Sequence, residues 1–365
     1  LLFAFRILVV IMNIIYISRR LKEENNGAQQ VMSRNLEALK RIGGINITEY
    51  YLPQGSLKNV AVSLLQLGSY GITRQEEKKI VKLAARVHPD WFFIESSSYG
   101  SLVENLHHIG IPSICFAHNL DTELCKQEIC SRSPLIAWLK YRFTRFNEAK
   151  SVRYANKLIC LNNRDSNGFR KMFGRKADAI LPITFPKRPL CINVDFQKEE
   201  KFYYLFVGSD FFPNVEGIKW FIEHVAPKVD ACFRIVGSCC RNTSLATMIL
   251  PKNVVLVGYS DNLDKEYQNA AGVIAPIFKG SGMKTKTIEA LSYGKSIFGT
   301  SEAFTGIECD FSRVGALCNT ADEFVEALSS TELKKTVNNY SLEIFIRNFS
   351  NEVFVERLRD FLKSL

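Results

Sequence analysis

The feature that most constrains the fold is an alternation running the length of the chain. Short apolar runs take turns with helix-length amphipathic segments. In the first half, Arg6 to Ile11, Ile47 to Leu52, Trp91 to Ile94, Ser113 to Ala117, Lys157 to Leu161 and Ala179 to Ile183 read as strands. Helices are expected near Gln29 to Ile42, Arg74 to Val87, Ser101 to His108, Leu135 to Tyr154 and Arg164 to Phe173. Strands without polar alternation need cover on both faces, and intervening helices supply it by crossing back over a parallel sheet. The second half repeats the scheme. Its strands are Tyr203 to Val207, Cys232 to Val236, Val254 to Val257, Gly272 to Ala275, Ser296 to Phe298 and Ala316 to Cys318. Its helices are expected near Val215 to Val229, Asp261 to Asn269, Met283 to Ser292 and Ala321 to Leu328. The fold class is therefore α/β, with two tandem Rossmann-like doubly wound domains. Ligands are expected at strand carboxyl ends and in an interdomain cleft.

A chain of 365 residues exceeds one ordinary core. The expected division is 1–185 for the first domain, 186–200 for a charged, proline-bearing linker, 201–345 for the second domain and 346–365 for a closing helix. Leu1 to Ile17 is almost wholly apolar, but Arg6 and Asn13 interrupt it, and it falls short of the roughly 20 residues of a spanning helix. Arg6 to Ile11 within it is read as the first buried parallel strand. The segment Glu123 to Pro134 is read as a loop. Ten cysteines are scattered without paired metal-ligand spacing, which points to a reducing cytoplasm. A net charge of +10 suits phosphate-bearing ligands or an anionic membrane. No nucleic-acid motif accompanies it, so nucleic acid is not an expected partner.

The densest chemistry lies in Gly280-Ser281-Gly282-Met283-Lys284-Thr285-Lys286, which follows the run Ala271 to Ile277 and opens a helix containing Glu289. Strand, small-residue turn and helix start together expose unpaired N–H groups to an anion. Lysines oppose the helix dipole at that end, and an anionic ligand removes the conflict. Lys286 and Glu289 are spaced to share one helix face. An ordinary solvated helix start accounts for the spacing equally well. His118 follows the strand Ser113 to Ala117 and should emerge at the carboxyl edge of the first sheet; a structural strand-end histidine is the competing reading. Gly27 opens the first helix after the polar loop Arg19 to Asn26, either as a phosphate contact or as a plain cap. Gly208 ends one strand of the second half, and Tyr259 follows another where it could border a base. No GxSxG nucleophile elbow and no Walker-type P-loop occur.

Taken together these residues resemble glycosyltransferase family 4, the group 1 glycosyl transferases with the GT-B fold. The match is strongest from Tyr203 to Glu308, through Phe206-Val207-Gly208-Ser209, Phe212-Pro213-Asn214, Val257-Gly258-Tyr259, Ala275-Pro276-Ile277, Gly280 to Ala290 and Gly306-Ile307-Glu308. Gly27-Ala28-Gln29 and Ala117-His118-Asn119 extend it into the first half. The resemblance implies a retaining glycosyltransferase of hexosyltransferase type, EC 2.4, moving sugar from a nucleoside-diphosphate sugar to a glycan or lipid-diphosphate-linked acceptor in surface polysaccharide or glycolipid biosynthesis. Catalytic roles fall to His118, Lys286 and Glu289. Donor binding falls to Gly27, Gly208, Tyr259, Gly280, Ser281, Gly282, Met283, Lys284, Lys286 and Glu289, with Lys284 and Lys286 on the diphosphate and Glu289 on the ribose. No cofactor or metal is implied. The expected location is cytoplasmic, peripheral on the inner face of the membrane. Ser281 stands where the family usually carries an acid, and Ser209-Asp210 where it often carries arginine. Two alternatives stay open: a nucleotide-sugar 2-epimerase on a related fold, and a non-catalytic sugar-nucleotide-binding subunit.

Overall fold

The computed structural model describes residues 12–19, 27–53, 71–128, 134–188, 202–331 and 337–365, with isolated positions between 59 and 69. The chain divides into two compact units, Leu1–Leu181 with Val355–Leu365, and Pro182–Phe354. Each is built on one six-stranded sheet in which every paired strand is parallel.

In the first unit the strands are β1 (Met12–Arg19), β2 (Ile45–Leu52), β3 (Trp91–Ile94), β4 (Ser113–Ala117), β5 (Lys157–Cys160) and β6 (Ala179–Ile180), in the spatial order 2-1-3-4-5-6. Its helices are α1 (Gly27–Arg41), α2 (Arg74–Val87), α3 (Gly100–His108), α4 (Asp121–Glu128), α5 (Pro134–Tyr154) and α6 (Asn163–Phe173). The strand expected at Arg6 to Ile11 lies outside the described residues. Among the described residues β1 occupies the later part of that apolar run, and Asn13 lies within the strand rather than interrupting it. Its N–H donates to Asp90 Oδ2 at 2.7 Å, and its side-chain oxygen accepts from Asn46 at 3.2 Å. Ile14 to Ile17 are then fully buried.

A second correction concerns Asp121 to Glu128, where the expected loop is helical from Glu123 onward. The buried Glu148 of α5 accepts the N–H groups of Asp121 at 2.9 Å and Thr122 at 2.8 Å. A carboxylate borrowed from another helix thus satisfies the donors that a helix start leaves over. Gly100 permits α3 to cross α5 closely, since a Cβ there would meet the Asn147 carbonyl oxygen at 1.8 Å.

In the second unit the strands are β7 (Tyr203–Val207), β8 (Cys232–Val236), β9 (Val254–Gly258), β10 (Gly272–Ala275), β11 (Ser296–Gly299) and β12 (Gly315–Leu317), in the order 12-11-10-7-8-9. Helices α7 (Phe212–His224), α8 (Leu263–Asn269), α9 (Thr285–Ser292), α10 (Ala321–Ser330) and α11 (Asn339–Asn348) accompany them, besides single turns at Thr243–Ala246 and Phe311–Val314; α12 (Asn351–Lys363) begins in this unit, and its residues from Val355 on belong to the first. α7 begins ahead of the expected Val215 and stops at His224. α11 has no counterpart in the sequence reading, and Asn338 caps it by accepting the Ser341 N–H at 3.0 Å. In both sheets the strand order reverses beside the first strand, between β1 and β3 and between β7 and β10. Loops leaving the carboxyl ends of these strands diverge there, which opens a crevice at each sheet edge.

Candidate functional site

At the reversal in the second unit, β7 ends at Gly208 and β10 runs into the turn that starts α9. Gly208 is compressed: a Cβ there would lie 2.7 Å from the Phe206 ring. Gly280 and Gly282 adopt φ of 136° and 66°, conformations that side-chain-bearing residues avoid. They fold Gly280 to Met283 back so that α9 starts at the sheet edge. Met283 is buried and Ser281 half-exposed.

Three charged groups follow from this turn, and each is held differently. Lys284 occupies the N-cap of α9 without a side-chain cap bond. Its ammonium pairs with Glu302 Oε1 at 2.6 Å and reaches the carbonyls of Ser281 and Gly282 at 3.4 and 3.3 Å. Lys286 is 8% exposed; its Nζ donates to Asn214 Oδ1 at 2.6 Å and sits 4.1 Å from the centre of the Phe206 ring. No carboxylate pairs with it among the described residues. Burial, with Lys284 adding repulsion, lowers its pKa to about 7. Glu289, also 8% exposed, accepts from the Tyr267 hydroxyl at 3.1 Å, and an Arg188 nitrogen lies 3.8 Å from Oε1. Burial raises its pKa to about 7 against the pull of Tyr267 and Arg188. Tyr267 stacks on Tyr293 at 4.6 Å, and Arg188 lies over Tyr293 at 5.2 Å. A buried amine and a buried carboxyl one turn apart, each short of a full countercharge, suit a ligand carrying both anionic and hydroxyl groups.

The first unit carries the other named residues. His118 leaves β4 and Glu95 leaves β3 on the neighbouring strand. Nε2 of His118 lies 2.6 Å from Glu95 Oε2. Glu95 is buried, and its other oxygen accepts from Tyr16 at 2.9 Å and Asn35 at 2.8 Å. His118, Asn119, Asp121, Arg19 and Ala28 border a cavity of about 310 Å³. Asp121 accepts from Ser98 at 2.6 Å, and burial raises its pKa. Gly27 opens α1 beside Ala28.

The structure thus gathers Gly208, Gly280, Ser281, Gly282, Met283, Lys284, Lys286 and Glu289 around one crevice of the second unit. Asn214 forms the link: it lies against Gly208 and bonds Lys286. Tyr259 stands 75% exposed after Gly258 and touches none of these groups in the contacts described above. His118 and Gly27 belong to the first unit. Sequence reasoning missed Glu95, Asn214, Tyr267 and Arg188. Asn214 sits inside the quoted Phe212-Pro213-Asn214 segment and was the one accessible from the pattern; Glu95 signals only as a charge directly after a buried strand.

The fold is the one shared by solved GT-B glycosyltransferase structures. The chain aligns with sucrose-phosphate synthase from Thermosynechococcus elongatus at a TM-score of 0.71 and 13% identity, covering 97% of this chain and 98% of that one. For the lipopolysaccharide outer core galactosyltransferase WaaB in its apo form the values are 0.67 and 13%, over 97% and 99%. For HepE of Anabaena in complex with UDP and glucose they are 0.66 and 11%, over 97% and 100%. Residues 201–331 match the family model of glycosyl transferases group 1, and this segment contains the turn and helix start around Lys286 and Glu289. No curated protein sequence matches the chain.

Proposed function

We propose that the chain is a retaining glycosyltransferase that moves a hexosyl group from a nucleoside-diphosphate sugar to a glycan or lipid-linked acceptor in surface polysaccharide or glycolipid assembly. The observation that carries this reading is the buried amine of Lys286, placed at the start of α9 without a countercharge among the described residues. A diphosphate supplies that charge and accepts the N–H groups of the same helix start. Glu289, steadied by Tyr267, receives ribose hydroxyls. Gly280, Ser281, Gly282 and Met283 offer backbone to the phosphates, and Lys284 adds charge once it turns from Glu302. As the glycosidic bond breaks, negative charge grows on the leaving nucleoside diphosphate and positive charge on the sugar. Lys286 and the helix N–H groups favour the first. His118 contacts the transferred sugar, and Glu95 holds its ring. The reading requires no divalent cation. HepE of Anabaena is described in complex with UDP-glucose, which supports a nucleotide-sugar donor here. WaaB is described as a lipopolysaccharide galactosyltransferase, which supports a lipid-borne acceptor.

A thermal-shift screen against UDP, GDP, ADP and CDP sugars identifies the donor. Lys286→Ala should then cost on the order of 2–4 kcal/mol of transition-state stabilisation, and Glu289→Ala should also abolish measurable transfer. Full transfer by either folded variant refutes the assignment.

A further inference from the structure

The stretch ahead of β7 brings an arginine to Glu289. Phe185 donates its N–H to the Phe349 carbonyl at 2.9 Å and accepts the Asn351 N–H at 3.0 Å. Thr184 adds a side-chain bond to Asn351 at 2.9 Å. These bonds fix the backbone three residues before Arg188. The Arg188 guanidinium then lies between two carboxylates. One terminal nitrogen is 3.3 Å from Asp264 Oδ1, and the other is 3.8 Å from Glu289 Oε1. The same group rests over the Tyr293 ring at 5.2 Å. Tyr293 donates its hydroxyl to Asp264 and stacks on Tyr267, which donates to the second oxygen of Glu289 at 3.1 Å. Glu289, Arg188, Asp264, Tyr293 and Tyr267 thus close a ring of contacts. One donor is left over: Arg188 Nε is buried and has no hydrogen-bond partner among the described residues. A buried donor without a partner costs stability, so the two terminal nitrogens decide where the guanidinium sits.

We propose that Arg188 is a positioning residue that orients the Glu289 carboxylate for the ribose of the donor, with Asp264 and Tyr293 holding the guanidinium in place. The proposal rests on the reading of Glu289 as the group that receives ribose hydroxyls. Tyr267 takes one oxygen of the carboxylate and Arg188 faces the other, so rotation of the carboxylate breaks one of the two contacts. Each oxygen keeps a lone pair for a hydroxyl. Arg188 also favours the ionised form, which accepts hydroxyls best, and Asp264 opposes it. The other charged groups nearby are engaged elsewhere. Lys286, on the same helix, bonds Asn214. Lys295, ahead of β11, bonds the carbonyls of Gln268 and Ala270 at 3.1 and 2.7 Å. Helix α11 packs on α9, and its Glu343 and Arg347 pair with each other at 2.9 Å. Among the described residues, Arg188 is the cation that faces Glu289.

The test is calorimetry on the full chain from pH 5 to 9, with the nucleotide sugar selected by the thermal-shift screen. Without Arg188 the Glu289 carboxyl takes up its proton at higher pH, so binding is lost first on the acid side. Arg188 is a quarter exposed, which keeps its effect at the low end for an opposite charge at that distance, about tenfold in the acid dissociation of Glu289. Arg188→Gln should therefore weaken binding about ninefold at pH 6 and less than twofold at pH 8, and raise the optimum by about half a pH unit. Arg188→Lys keeps the charge and should restore most of the acid side. Asp264→Asn keeps an acceptor for Tyr293 and should move the optimum down. A carbon NMR titration of labelled, ligand-free protein reads Glu289 directly, its signal being the one that Glu289→Gln removes. Weakening by the same factor at every pH, as from a purely structural arginine, overturns the proposal. So does a Glu289 midpoint that stays in place in Arg188→Gln. A wild type that binds no nucleotide sugar overturns the glycosyltransferase reading and this proposal with it, whereas wild-type binding with an unmoved acid side overturns this proposal alone.

Discussion

Donor binding should follow a bell in pH centred near 7, because two buried groups must both ionise to receive the ligand. Burial lowers the Lys286 amine to about 7 and raises the Glu289 carboxyl to about 7. From ordinary values of 10.5 and 4.5, these displacements disfavour the two charged forms by on the order of 5 and 3 kcal/mol. A diphosphate needs the ammonium, and ribose hydroxyls are accepted best by the carboxylate. Below pH 7 the ammonium is already present, but Glu289 must release a proton on binding. Above pH 7 the carboxylate is present, but Lys286 must take one up. The competent fraction is the product of the two ionised fractions. Relative to pH 7, affinity should therefore be about threefold weaker at pH 6 and 8, and about 25-fold weaker at pH 5 and 9.

Calorimetry in buffers of differing ionisation enthalpy reads the protons directly. A nucleotide sugar is the right ligand because its diphosphate does not titrate in this range. Net exchange should be a release of about 0.8 proton at pH 6, near zero at pH 7, and an uptake of about 0.8 at pH 8. Lys286→Met should leave only the release, and Glu289→Gln only the uptake, each with weaker binding. An affinity that stays flat from pH 5 to 9, or proton exchange of one sign throughout, refutes the reasoning.

Two further outcomes follow from packing and from the histidine pair. A Cβ on Gly217 would lie 1.8 Å from the Pro276 carbonyl oxygen, so Gly217→Ala must push α7 off the turn after β10. Urea denaturation should show a loss of about 1–3 kcal/mol, and unchanged stability would mean that the turn yields. Glu95→Gln places an amide where a carboxylate now serves His118, Tyr16 and Asn35, costing about 1.5–3 kcal/mol in stability and lowering kcat/KM. A variant as stable and as active as the wild type would remove Glu95 from the site.

The segments Arg74–Val87, Trp91–Ile94, Ser113–Ala117, Tyr203–Val207, Cys232–Val236 and Gly272–Ala275 were legible residue for residue. Each is either an apolar run bounded by polar residues or a helix with its own cap, as with Thr73 ahead of α2. Legibility failed where the deciding partner is remote in sequence. α4 has almost no apolar periodicity, and the carboxylate that nucleates it comes from α5. Asn13 fits inside β1 through Asp90 and Asn46, partners that the apolar run from Leu1 to Ile17 does not reveal. The crevice of the second unit was readable as a turn and a helix start. Its electrostatics were not, because the displaced titrations of Lys286 and Glu289 come from burial, which only the fold imposes.

The division of the chain has a consequence for biosynthesis. The first unit draws on Val355–Leu365, where Leu358 and Leu362 are buried. While the ribosome is still working through the second unit, the earlier one waits with a strip of its interior uncovered. A nascent chain halted after position 181 should thus engage chaperones or aggregate, and supplying residues 355–365 as a separate peptide should rescue its solubility.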